Sequence, residues 1–411
     1  MNRGFYTILA AQFFSSLADN TLLFVAIEIL KSRSAPEWQT PVLQQFFVIS
    51  FIVLAPFAGA YADSIPKGKA MFISNSIKIC GCLALLSGLH PLIAYGFVGT
   101  GSALYSPAKY GILTEYLPPG RLIWANGWME GLTVAAIILG AISGGVLVGD
   151  YFQSLTADLA GLHKNDANRL ANSISIVIVL GYYTLAAFFN LAIPKLPVEH
   201  ELISRTIYSL WTDFWASFFS LWRDPLGQVS LAVTSLFWGA CTTLRFIILL
   251  WAAMALNVDM QEATQLTAFV AVGLAAGAFI ASKLVPLEHT VKVLPLGIAM
   301  GFVIVLMTWV TDLWLAVMLL ILIGVLAGCF LVPMNALLQH RGHRLMGSGH
   351  SIAVQNFNEN SSMLLMLGAY ALMLNHNFAI NSIVAIFGLF VAAAMALITL
   401  KHGHDQDKGQ T

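Results

Sequence analysis

Charge is the scarcest ingredient of this sequence. Only 10% of its 411 residues are Asp, Glu, Lys or Arg, and they divide 20 to 20, so the formal net charge is zero. A water-soluble chain carries about 25% charged residues, so most of this one is built to meet something other than water. The even balance also removes the basic excess that nucleic-acid binding demands. Cysteine is nearly missing: Cys80, Cys82, Cys241 and Cys329 all fall in apolar runs. They read as small packing residues, neither disulfides nor metal ligands. No nucleophile elbow, metal-ligand cluster or phosphate-cradling glycine loop occurs. A His with an Asp five residues later, a spacing used by acyltransferases, is found once, from His402 to Asp407 in a hydrophilic tail. His340, His343 and His350 lack a recognised ligand spacing and read as solvated loop residues. An enzyme is not expected, nor a cofactor or resident metal.

What abounds is hydrocarbon, at 58% of residues. Runs of roughly 20 apolar residues recur along the chain, each able to span about 30 Å of lipid interior. They are continuous rather than alternating, which excludes a barrel and leaves helices. Spans are read near 4–30, 42–63, 70–89, 91–114, 121–149 and 172–194, then 226–256, 264–285, 291–310, 312–338, 346–374 and 377–400. Ser16-Leu17-Ala18 looks like a signal-peptide cleavage site, but Asn20 is followed by more apolar chain to Leu30, so cleavage is not expected. Placing both termini in the cytoplasm puts thirteen Lys and Arg on that side against four (Lys31, Arg33, Lys164, Arg169) on the other, as the positive-inside bias requires.

One stretch reads as a linker, and it divides the spans six and six. The expectation is an all-α membrane protein of about twelve transmembrane helices in two pseudo-symmetric six-helix bundles: residues 1–194, a cytoplasmic linker 195–225, residues 226–400, and a cytoplasmic tail 401–411. In the linker, the amphipathic aromatic run from Tyr208 to Trp222 is expected to lie along the membrane surface. The halves echo each other. Pro107 and Pro333 end similar small-residue strings 226 positions apart (333 − 107), and Glu130 and Glu359 differ by 229 (359 − 130). Repeats of this kind place a substrate site near the bilayer midplane.

Ionisable residues inside spans cost at least ~2.5–3.5 kcal/mol and mark function by default. Seven occur: Asp19, Glu28, Lys78, Lys109, Glu130, Arg245 and Glu359. Glu28 and Lys78 lie close enough to helix ends to be read as snorkelling. The other five sit in polar stripes at helical spacing, with Asn20 beside Asp19, Ser102 and Ser106 before Lys109, Asn126 before Glu130, Thr242 before Arg245, and Asn356 and Asn360 flanking Glu359. Such stripes face water or one another. Asp19 and Arg245 repeat the offset of 226 (245 − 19), which suggests an acid and a base opposed across a cavity, either as a structural lock or as a site for a zwitterionic headgroup. Arg245 would take phosphate through its fork, and Asp19 an ammonium. Gly140, Gly144, Gly145 and Gly149 form small-xxx-small spacing for close helix packing.

Gly59-Ala-Tyr-Ala-Asp63 with Lys67 and Lys69 resembles the loop motif of the major facilitator superfamily, in which the acid and bases latch the cytoplasmic side. Five further strings are similar to the lysophospholipid transporter family. They are Ala11-Gln12-Phe13 with Asp19-Asn20, Tyr105 to Leu113, Phe237-Trp-Gly239 with Leu244-Arg245-Phe246, Val332 to Gln339, and Ala353 to Asn356 with Glu359-Asn360. That resemblance implies inward flipping of lysophosphatidylethanolamine and related lysolipids across a bacterial inner membrane. It also implies reacylation by an acyltransferase/acyl-carrier-protein synthetase partner. The polar residues inside the spans themselves suggest a headgroup site among Asp19, Asn20, Lys109, Glu130, Arg245, Asn356 and Glu359. The competing reading is a proton-coupled exporter of drugs or small amphiphiles on the same fold, with Asp19, Glu130 and Glu359 as proton carriers.

Overall fold

The computed structural model describes residues 3–36, 39–161, 164–194, 196, 206–258 and 260–403. Among these residues are fourteen α-helices and no strand. They are α1 (Arg3–Ser32), α2 (Gln39–Ser64), α3 (Lys67–Leu86), α4 (Pro91–Tyr116), α5 (Leu122–Val148), α6 (Asp150–Ala160), α7 (Lys164–Leu191), α8 (Ile207–Arg223), α9 (Pro225–Ala255), α10 (Met260–Leu284), α11 (Leu294–Leu306), α12 (Leu313–Met346), α13 (Ser348–Asn375) and α14 (Ile380–Gly403). Ten helical segments are long and apolar enough to cross a membrane, counting α11 with its flanking 3-10 turns as Leu287–Trp309. α4 and α13 have the length but a more polar composition. Each apolar run read as a span therefore lies in a helix. α8 covers the amphipathic aromatic run Tyr208 to Trp222, and α6 is a helix that the hydropathy pattern does not announce; it ends at Gly161, which takes φ 61. Pro107 and Pro333 fall inside α4 and α12 rather than at their ends, and α12 runs to Met346.

The chain forms two compact units, Met1–Ile112 with Leu132–Phe214, and Leu113–Gly131 with Trp215–Thr411. In the first, Leu22, Val25, Tyr95, Val98 and Tyr183 form the core, and Phe14 stacks on Phe189 at 5.8 Å. Lipid tails are as apolar as Leu, so helices associate here through close packing rather than escape from water. α5 accordingly approaches α1 at Gly140 and Gly144, where a Cβ would stand 2.6 Å from Asn20 Cβ and 2.8 Å from Phe24 Cβ.

The second unit is built on Trp251, Leu320, Phe330 and Val384. Its tightest seam joins α10 to α12 through Gly273 and Gly277 facing Gly324 and Gly328. A Cβ on Gly324 would meet Leu274 N at 2.7 Å, and one on Gly328 would meet Ala278 N at 2.6 Å. α12 turns into α13 at Gly347 (φ 94, ψ 154), a conformation open only to glycine. α9 begins at Asp224, whose Oδ2 accepts from Gly227 N at 2.8 Å, with Pro225 at the first helical position. The Arg341 fork of α12 grips the same carboxylate, Nε at 3.1 Å from Oδ2 and the second nitrogen on Oδ1. Burial pushes this carboxyl up, but Arg341 and the Gly227 N–H outweigh it and hold it below its ordinary value. The stability it lends is present at neutral pH and fades as pH falls through that lowered value.

Candidate functional site

Asp19 sits mid-way along α1, and its partner is Lys78 of α3. The Lys78 ammonium donates to Asp19 Oδ2 at 2.8 Å, to Oδ1 at 2.9 Å and to Ser15 Oγ at 3.1 Å. Tyr183 of α7 donates its hydroxyl to Oδ1 at 2.7 Å, and Ser102 of α4 reaches Oδ2 at 3.4 Å. Lys78 also lies over the Tyr105 and Tyr183 rings, 5.1 and 5.6 Å from their centroids. The side chains are 1% exposed for Lys78 and 19% for Asp19. This corrects two expectations. Lys78 does not snorkel, because a carboxylate one helix away satisfies its charge in place. The acid-base pairing expected of Asp19 with Arg245 is made with Lys78. The signal for Lys78 was present in Ser74, Asn75 and Lys78, which share one helical face, and Asn75 does accept from Ser15 at 2.9 Å. Glu28, nearer the end of α1, accepts from Gln153 of α6 at 3.5 Å.

The remaining polar stripes mostly face protein. Asn126 is fully buried and exchanges two amide hydrogen bonds with Gln339 of α12, each 2.8 Å. This half of its stripe is interhelical glue. Removing one amide strands the other, which costs about 1–3 kcal/mol, whereas replacing both with apolar groups approaches neutrality. Asn126→Leu and Gln339→Leu should each lower the melting temperature, and the double variant should melt above the sum of the two losses. Strict additivity would show that the pair is not coupled. Gln355 of α13 donates to Glu359 at 2.7 Å and to Asn335 at 2.9 Å, and Asn360 bonds its own helix at the Asn356 carbonyl. Lys109, Glu130, Asn356 and Glu359 are all buried, with the Lys109 ammonium 3.9 Å from the Tyr110 ring centroid. Asn20 is half-buried and donates to the Ser16 carbonyl at 2.8 Å. In the loop motif Lys67 bonds Asp63 at 2.7 Å and the Ala62 carbonyl at 2.8 Å, both side chains buried, while Lys69 is exposed. Among the described residues no group of three His, Cys, Asp or Glu could hold a metal.

Arg245 differs from all of these. It lies within α9, ten positions from the helix end at Ala255 (255 − 245), on a face whose members Ser235, Trp238 and Thr242 are half-buried. Its side chain is exposed, and it makes no hydrogen bond or ion pair among the described residues. Arg245 is thus a guanidinium with its donors unspent on an otherwise apolar helix.

A family model described as Major Facilitator Superfamily matches residues 8–365. The lysophospholipid transporter LplT of Serratia proteamaculans (strain 568) is 42% identical over 373 residues, covering 90% of this chain and 89% of that protein. The LplT of Escherichia coli O1:K1 is 41% identical over 405 residues, covering 98% and 97%. Among solved structures, the E. coli fucose:proton symporter FucP superposes with a TM-score of 0.72 at 12% identity, covering 97% of this chain and 99% of that one. A bacterial homologue of the iron transporter ferroportin gives 0.71 at 14% identity, covering 98% and 100%. These two likenesses speak to the fold alone. The chain belongs to the lysophospholipid transporter family of the major facilitator superfamily.

Proposed function

We propose that this protein flips lysophosphatidylethanolamine and related lysolipids from the outer to the inner leaflet of a bacterial inner membrane. The observation that carries the reading is Arg245, exposed and unpaired among the described residues within a spanning helix. A guanidinium fork matches a phosphate bidentately, and every lysophospholipid brings one. The 41–42% identity to proteins named for this substrate supports it. Glu130, Asn356 and Glu359, which belong to the same unit as Arg245, supply further polar contacts to the headgroup. The single acyl chain stays in lipid throughout; exposing it would cost about 0.8 kcal/mol per CH₂, on the order of 10 kcal/mol for a long chain. Asp63, Lys67 and Lys69 gate the cytoplasmic side, both termini are cytoplasmic by the Lys and Arg bias, and α8 lies at that interface. An acyltransferase/acyl-carrier-protein synthetase reacylates the delivered lysolipid.

Flipping of labelled lysolipids in reconstituted vesicles, with and without an imposed ion gradient, tests this. Saturable inward flipping of phosphate-bearing lysolipids is expected. Inertness toward them, with transport of phosphate-free amphiphiles driven by a proton gradient, would establish the exporter instead.

A further inference from the structure

The Asp19 carboxylate has about four lone-pair directions, and four hydrogen bonds arrive at it: two from Lys78, one each from Tyr183 and Ser102. The Lys78 ammonium has three N–H groups and three acceptors, both Asp19 oxygens and Ser15 Oγ. Each ion is saturated by the other and by its own unit. Lys78 stands behind, at 1% exposure, with the carboxylate in front of it at 19%. A primary ammonium reaching Asp19 would find its acceptors already taken by a chemically identical group.

The duplicated pattern sharpens this. α5 and α13 begin 226 positions apart (348 − 122), and α3 and α11 begin 227 apart (294 − 67). At the offset of 226, Asp19 corresponds to Arg245, and Lys78 to Ile304 (304 − 78), a fully buried residue of α11. The first unit therefore carries a built-in counter-ion for its charge, and the second has none at the matching place.

We propose that Lys78 is a specificity-determining residue: its ammonium occupies on Asp19 the position that a headgroup ammonium would otherwise take. The carboxylate is thereby withdrawn from ligand recognition, and the headgroup is selected through its anion. The inference rests on lysolipid flipping as the activity.

The test is the ratio of flipping rates for lysophosphatidylethanolamine and lysophosphatidylglycerol in reconstituted vesicles, for the parent protein, Lys78→Met and Asp19→Asn/Lys78→Met. Lys78→Met keeps the side-chain volume and frees the carboxylate, so the ratio should shift at least tenfold toward the ethanolamine lipid. The double variant, which removes both charges and no longer buries a lone ion, should keep the parent ratio. An unchanged ratio in folded Lys78→Met would make the pair a brace and overturn the proposal. Where Lys78→Met does not fold, the double variant decides: a loss of ethanolamine preference there would show that Asp19 recognises the ammonium directly. A parent protein that flips neither lipid would instead remove the activity on which the inference stands.

Discussion

Arg245→Gln is expected to cut lysolipid flipping by roughly 30- to 1,000-fold, the equivalent of about 2–4 kcal/mol for a lost charge pair with the phosphate. Folding should survive, because Arg245 makes no hydrogen bond or ion pair among the described residues that the change would break. Arg245→Lys should fall between, since it retains the charge but not the planar fork. Losses of this size with an unchanged melting profile would separate ligand recognition from packing. A well-folded Arg245→Gln protein that flips at the parent rate would defeat the headgroup assignment.

The second large effect is structural. Gly277→Leu or Gly324→Leu should abolish accumulation of folded protein, because the new side chain would collide with backbone: Val325 opposite Gly277, and Val270 and Leu274 opposite Gly324. Overpacking that only displaces side chains costs typically 1–3 kcal/mol. Here two helix axes would have to separate, and their dispersion contacts would go together. Gly145 and Gly181 provide the control, since a Cβ there meets nothing within 4 Å. Gly145→Ala and Gly181→Ala should melt with the parent, and should gain slightly from the better helix propensity of alanine. Equal losses at both sets of positions would refute the seam.

Elements whose signal is local were legible in the sequence. A continuous apolar run encodes a spanning helix in its own residues, and the aromatic amphipathic run gave α8 to within a residue or so at each end, Ile207–Arg223. The glycine spacing of α5 gave its close approach to α1 at Gly140 and Gly144, but Gly145 and Gly149 of the same string meet no neighbouring helix. The equivalent spacings, Gly273 with Gly277 and Gly324 with Gly328, were equally present but draw their meaning from facing each other across two helices. Pairings of that sort have no local trace. Asp19 and Lys78 are 59 residues apart, and Asn126 and Gln339 are 213 apart. A buried amide or ammonium reads the same in sequence whether it faces a cavity or another side chain. Depth was not the missing information for Lys78, which stands eight positions from the nearer end both in the span read from residue 70 (78 − 70) and in α3, which ends at Leu86 (86 − 78); what the sequence withheld was its partner.

The aromatic face of α8 carries a mechanical consequence. Trp215 and Phe218 meet Phe357 of α13 edge-on, with centroids 5.9 and 6.1 Å apart, and Phe357 lies two residues from both Gln355 and Glu359. Rotating α13 to turn Gln355 and Glu359 would sweep Phe357 against two interlocked rings. Trp215 and Phe218 therefore resist rotation of α13 about its own axis, and any such turn must first part these rings.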